Sequence, residues 1–287
     1  MKRSRLRWGL IAAVSAGAGF TAAIGTKAFT QLVDSTLPDA RGIASFHRPG
    51  TITLLSSRGQ VIQKLGPATR DKLKPGEMPL LVQQSFIAAE DRRFYRHNGI
   101  DGWGIARAVV TNVRQGSVRE GASTITQQLA RTVFLSQDRT ITRKLKEAAL
   151  ALKLERQLSK QQILEQYLNY VYLGASAYGL ADAAWVYFSK TPAQLNLQEA
   201  ALIAGLPPAP SVYSPLVNPE LALERRGIVL NRMEQAGFIT ASEAEQARSS
   251  PLDLKPAAPK YFNSSAPYFT SWVAQQLPQL LTPEQLE

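Results

Sequence analysis

Three short stretches carry side chains able to work on a substrate. In "AAEDRRFYRHNGID", residues 88–101, Glu90 and Asp91 stand side by side at the end of an apolar run. Arg92, Arg93, Phe94, Arg96 and His97 follow, and His97 is one of only two histidines in the chain. Nearby arginines favour an ionised carboxylate, which suits a general base and not a proton donor. The plain alternative is a solvated helix end. In "EGASTITQQLART", residues 120–132, Gly121 gives a flexible entry and Thr124 with Gln127 fits a capping box. A loop entering a helix N-terminus presents free N–H groups to phosphate or other anions. Ser123, Thr124, Gln128 and Arg131 would add donors there, unless the stretch is an ordinary capped helix. In "RKLKE", Arg143 and Glu147 are four residues apart and share a helix face, with Lys144 on an adjacent one. Such a pair is commonly a surface ion pair, yet it would also turn cations toward a departing diphosphate.

The elements that must hold these groups read as follows. Residues 51–66 alternate around a Ser-Arg-Gly turn and predict a hairpin. Pro79 suits a first helical turn, and "LLVQQSFIAAE" carries a helix to Glu90. Residues 103–118 place Trp103, Ile105, Val109, Val110 and Val113 among few charges, which fits either a core helix or one dipping into a lipid surface. Residues 140–174 predict two helices, the second opened by Ser159 with Gln162 and burying Ile163, Leu164, Tyr167, Leu168 and Val171. "LPPAPSVYSP" is too proline-rich for helix and is expected to run extended. Arg225 to Gly237 is helical again, and an amphipathic piece runs to Glu287.

Composition narrows the chemistry. The 287 residues include no cysteine, which excludes thiolate ligands and cysteine nucleophiles. The net charge of +11 points to an anionic partner. No basic stripe is interleaved with aromatics, so nucleic acid is not expected. Four of the charges precede an uncharged stretch, Trp8 to Thr26, just long enough to cross a bilayer at about 20 residues. Its basic flank predicts a cytoplasmic N-terminus and an exported remainder, the competing reading being a signal peptide cleaved after small residues such as Thr21-Ala22-Ala23.

Taken together and in order, these stretches resemble the peptidoglycan glycosyltransferases, the polymerase domain of class A penicillin-binding proteins. "EDRRFYRHNG", "GASTITQQL", "RKLKE", "QQILEQYLNYVYLG" and "EAALIAGLPPAPSVYSP" resemble the five signatures of that family over residues 80–215. The chain departs from the family pattern at Arg131-Thr132, where Lys-Asn is usual, at Ser189, where glycine is usual, and at Ala122. No Ser-x-x-Lys occurs, so a transpeptidase site is not expected within the sequence.

The resemblance implies a mainly α, lysozyme-like, two-lobed fold with a small β-hairpin jaw near an N-terminal membrane helix. Its division would be a basic tail 1–7, an anchor 8–27, a stalk and hairpin 28–78, a catalytic domain 79–250 and a C-terminal tail 251–287. It implies polymerisation of lipid II into β-1,4-linked glycan with inversion, on the periplasmic face of the bacterial inner membrane. Glu90 would deprotonate the acceptor 4-hydroxyl. Glu147 would orient Arg131, Arg143 and Lys144 on the leaving diphosphate, or help to hold a divalent metal, Mg or Mn, with no organic cofactor. Gly121, Ser123, Thr124 and Gln128 would position phosphates. Asp91, Phe94 and His97 would complete the substrate site as the shell that holds Glu90, Asp91 by orienting and His97 either by touching substrate or, the favoured reading, by hydrogen bonding within the loop. Inverting glycosidases separate their carboxyls by about 6.5–9.5 Å, so by analogy Glu90 and Glu147 should stand at least that far apart. Lipid II, the growing glycan, membrane lipid and other cell-wall synthesis proteins are the partners expected on this resemblance. A glycan hydrolase of related fold and a non-catalytic glycan-binding scaffold are the alternatives.

Overall fold

The computed structural model describes residues 52–65, 76–115, 123–135, 140–258 and 264–280, with Leu37, Ile43, Lys72 and Leu73. The expected anchor over 8–27, most of the stalk, and Gly121 lie outside the described residues. Among the described residues no helix is long and apolar enough to cross a membrane.

The described chain is mainly helical, with one two-stranded antiparallel sheet. Strand β1 (Ile52–Leu55) pairs with β2 (Val61–Leu65), Ile52 opposite Leu65, and the register shifts between Leu54 and Leu55. Ser56 closes the turn, its Oγ accepting the amides of Arg58 and Gln60. Gly59, at φ +75°, supplies the left-handed residue that this reversal requires.

Helix α1 (Leu80–Glu90) follows Pro79 and buries Val82, Ser85, Phe86, Ile87, Ala88 and Ala89. A helix apolar on most of its surface must be covered on several sides. α1 accordingly packs on α7 (Leu197–Ala204) and α8 (Pro219–Gln235). Glu90 is the last residue of this buried rod, so the core fixes where its backbone stops. A 3-10 turn, Phe94–Arg96, leads to α2 (Gly102–Gln115), whose Trp103 and Ile105 are exposed while Ala108 is buried.

α3 (Ile125–Phe134) packs on α4 (Ile141–Gln157) and α5 (Lys160–Tyr170). The capping boxes read from Thr124/Gln127 and Ser159/Gln162 both form, each satisfying amides that a helix start leaves free. After α6 (Leu180–Phe188) the chain passes Ser189 in the left-handed region at φ +54°. Its Oγ donates to the Lys255 carbonyl, where residues 251–258 are strapped along the end of α6.

The segment expected to be extended, 206–215, is instead a run of turns, with Val212 and Tyr213 both donating amides to the Ala209 carbonyl. Its prolines block helix, but they suit consecutive turns equally well. Helix α8 begins at Pro219, six residues before the expected Arg225, because proline is pre-organised for the first helical position. Helices α9 (Ala241–Ser249) and α10 (Pro267–Leu280) complete the described chain.

Candidate active site

Glu90 faces a cleft of about 340 Å³. The same cleft is lined by Arg92, Arg93 and Arg107, by Ser123, Thr124, Gln128 and Arg131, and by Pro207, Pro208, Tyr213, Arg225 and Arg232. Residues from distant parts of the chain therefore meet here, with arginine as the dominant charge. Such a surface suits an anionic ligand.

Glu90 Oε2 accepts a hydrogen bond of 2.7 Å from Gln128 Nε2. Gln128 Oε1 in turn accepts the Tyr167 hydroxyl at 3.1 Å. Burial drives the Glu90 carboxyl above its ordinary value, with Asp91 adding in the same sense. The Gln128 hydrogen bond and the positive charges of Arg225 and Arg232 oppose that rise without cancelling it. The arginines expected to favour the ionised acid were those of the adjacent 92–96 stretch, and that source is corrected. Desolvation wins, and the arginines that act on Glu90 come from α8. A carboxylate raised in this way is a stronger base than an ordinary one once it is ionised.

Asp91 caps α1 and is almost fully buried. Its carboxylate accepts the Ile125 amide at 3.1 Å, at the start of α3, and lies 3.0 Å from His97 Nε2 at both oxygens. His97 Nδ1 accepts the Gly99 amide at 3.2 Å, so the ring proton sits on Nε2, facing Asp91. This pair ties the 91–99 loop to α3. Phe94 has no exposed surface and packs edge-on to His97 under the Lys160 ammonium. Phe94 therefore cannot touch a ligand, and its place among the substrate-binding residues is corrected to a loop anchor.

Thr124 lies at the cleft wall, but its hydroxyl already donates to the Gly99 carbonyl at 2.6 Å and accepts the Gln127 amide. Gln128 spends its amide on Glu90, so both residues shape the site before they can serve as phosphate donors. Ser123 accepts from Lys144 Nζ at 2.8 Å, which connects the segment entering α3 to α4.

Glu147 is buried to 1 % exposure, and its two oxygens face Arg143 and Lys144, the latter at 2.6 Å. Arg131 on α3 acts electrostatically on Lys144. Burial, with Arg131 and Arg143 alongside, holds the Lys144 ammonium below the ordinary lysine value despite its contact with Glu147. Glu90 and Glu147 thus have separate partners: an amide for the first, two cations for the second. Both Glu147 oxygens are engaged by Arg143 and Lys144, so a divalent metal at this carboxylate would have to displace one of those cations. Among the described residues no cluster of three or more acids and histidines is placed to hold one.

Sequence reading did not single out Arg225, Arg232, Tyr213 or Arg107. Arg232 donates to the Ala89 carbonyl at the end of α1, and Arg225 lies over the Tyr213 ring at 5.0 Å while donating to the Gly205 carbonyl. Two arginines seven residues apart on one helix are a legible stripe, but nothing local says that this stripe faces Glu90.

The chain is similar to known proteins over most of its length. The family model described as Transglycosylase matches residues 58–234. Penicillin-binding protein 1A of Neisseria meningitidis serogroup A is 46% identical over 241 residues, covering 84% of this chain and 30% of that protein. Penicillin-binding protein 1A of Aquifex aeolicus is 43% identical over 232 residues, covering 81% of this chain and 32% of that protein. The chain thus spans about a third of the length of these curated relatives. A crystal structure of penicillin-binding protein 1A from Haemophilus influenzae aligns with a TM-score of 0.46 at 23% identity, covering 84% of this chain and 26% of that one. With a family match over more than half of its residues, the chain belongs to the transglycosylase family.

Proposed function

We propose that this chain is a peptidoglycan glycosyltransferase that polymerises lipid II, the polyprenyl-diphosphate-linked disaccharide-peptide, into glycan strands for the bacterial cell wall. The observation that carries the reading is a half-buried carboxylate, Glu90, in a cleft walled by arginines, with a second cationic group, organised by Glu147, joined to that wall through Ser123.

In this mechanism ionised Glu90 takes the proton of the acceptor sugar's 4-hydroxyl. The resulting oxygen attacks the anomeric carbon of the growing chain from the face opposite its α-linked diphosphate. The bond from that carbon to the diphosphate oxygen breaks, giving a β-1,4 linkage and the free lipid diphosphate. Negative charge accumulates on the leaving group. Cations already fixed in place stabilise it without reorganising, which is the most effective way to lower such a barrier. Arg131, Arg143 and Lys144 fill this role. Glu147 serves by aiming two of them, and Ser123 by hydrogen bonding to one.

The raised carboxyl of Glu90 also fits a second reading, a lysozyme-like general acid that cleaves glycan. The Gln128 amide opposes it: an N–H donor at 2.7 Å favours the ionised acid and cannot accept a proton from a neutral one. The proposed setting is the periplasmic face of the inner membrane, with the exposed Trp103 and Ile105 of α2 directed to lipid. Incubating the detergent-solubilised protein with labelled lipid II and resolving the products tests the reading. Glycan polymer from the intact protein and none from Glu90→Gln is the expected pattern. Shortened glycan from added polymer would favour the hydrolase, and no reaction at all the scaffold.

A further inference from the structure

Tyr167 takes no part in the mechanism above, yet it is joined to the proposed base through a single side chain. It is 1 % exposed, lies on α5, and packs edge-on against Phe86 of α1 with ring centroids 6.1 Å apart. Its hydroxyl donates to Gln128 Oε1 at 3.1 Å, and Gln128 Nε2 donates to Glu90 Oε2 at 2.7 Å. A glutamine side chain has one accepting end and one donating end. Left alone, it can present either end to a neighbour by a half-turn about its last bond. The two ends have very different effects on a carboxylate: the NH2 stabilises the anion, whereas the carbonyl repels it and invites a proton.

We propose that Tyr167 is a positioning residue for the polymerisation reaction, its hydroxyl locking the Gln128 amide so that the NH2 end always meets Glu90. In the arrangement seen the phenol donates to the carbonyl end, whereas the reversed amide would turn that carbonyl onto the Glu90 carboxylate and leave the phenol only its weaker accepting role. Burial, reinforced by the Glu90 charge, pushes its ionisation well above the ordinary tyrosine value, so the proton stays on the oxygen throughout the working range. The bond also chooses between the two oxygens of the base. Oε2 is engaged by the amide, leaving Oε1 to receive the proton of the acceptor hydroxyl. The inference rests on Glu90 being the base.

Tyr167→Phe removes one oxygen and keeps the ring that packs on Phe86, so the fold is retained; an unchanged thermal midpoint within a few degrees checks this. Freed from its lock, the amide samples the reversed orientation. The expected result is a kcat for lipid II polymerisation reduced about tenfold, the worth of roughly one hydrogen bond to a charged group, with KM little changed. The acid limb of the pH–rate profile should also move to higher pH. The decisive measurement is the double-mutant cycle with Gln128→Ala. Acting through Gln128, the Tyr167→Phe change should have no further effect in that background. An equal fall in both backgrounds, or wild-type kcat in the single variant, overturns the inference and leaves the assignment of Glu90 standing. Polymer from Glu90→Gln overturns that assignment and this inference with it.

Discussion

His97 Nε2 stands 3.0 Å from each carboxylate oxygen of Asp91, and the same carboxylate accepts the first amide of α3 from Ile125 at 3.1 Å. One buried acid therefore receives two donors from two different segments, immediately after the proposed base. The contact works as a pin between the loop after α1 and the start of α3, and so fixes Glu90 relative to Gln128.

Asp91→Asn tests the pin. An asparagine has one accepting end, but both of its neighbours are donors, so an NH2 must face either the Ile125 amide or the His97 Nε2–H. Shifting the His97 proton to Nδ1 gives no relief, since that atom already faces the Gly99 amide. A buried donor-to-donor contact costs about 1–3 kcal/mol. Thermal melting should show that loss, and lipid II polymerisation should fall through kcat more than through KM, because the base is misplaced and not the ligand.

The pH behaviour of Glu90 has a stated direction. Burial raises its folded-state value above the 4.5 of a free glutamate. The proposed base works only when ionised, so activity should rise with pH through a limb lying above that value. Stability runs the other way. Between the unfolded and folded values the native state holds the proton more tightly, so its stability falls as pH rises through this window. Glu90→Gln removes the ionisation. It should cut kcat on the order of 10²–10⁴-fold while raising the melting temperature at neutral pH, and the gain should vanish in acid. A neutral-pH melting temperature below that of the intact protein would show that burial does not dominate at this carboxyl.

Legibility in the sequence follows the range of the forces involved. The helix ending at Glu90, the capped starts at Thr124 and Ser159, and the Ser56–Gly59 turn depend on neighbours within a few residues, and each is readable there. Phe94 is different. Its burial under Lys160 is decided by a residue 66 positions away, so an aromatic in a catalytic-looking loop was open to misreading as a ligand contact. Arg225 and Arg232 reach Glu90 only because α8 packs on α1, and no local pattern reports that. Turns at 206–215 were missed for another reason: proline excludes helix without choosing between extended chain and consecutive turns.

Lys144 should set the alkaline side of the activity profile. Its ammonium sits below the ordinary lysine value of 10.5 through burial and the charges of Arg131 and Arg143. The proposed role needs the cation, so activity should fall as pH rises through that lowered value, earlier than a solvent-exposed lysine would dictate. Lys144→Arg keeps a charge that does not titrate in the accessible range. Its alkaline limb should move to higher pH even if the maximal rate falls because the hydrogen bond to Ser123 is altered. A limb unchanged in Lys144→Arg would assign it to another group.

Gly99 offers a test of the loop that is independent of charge. Its φ is +91°, and a Cβ there would lie 2.9 Å from the carbonyl carbon and oxygen of Ala151 on α4. Those are backbone atoms in the middle of a helix and cannot yield as a side-chain tip can. The Gly99 carbonyl also accepts the Thr124 hydroxyl at 2.6 Å, and its amide donates to His97, so any retreat from α4 loosens both contacts. Gly99→Ala combines the backbone strain, about 1–3 kcal/mol, with this displacement. The melting temperature should drop, and activity should fall further than the loss of folded protein explains, because the same movement frees His97 from its place beside Asp91. Gly59→Ala is the matched control: it is also at positive φ, at +75°, but meets nothing within 4 Å and lies in the hairpin. It should lose stability through strain alone and keep full activity per folded molecule. Equal specific activity in the two variants would separate the 91–99 loop from catalysis.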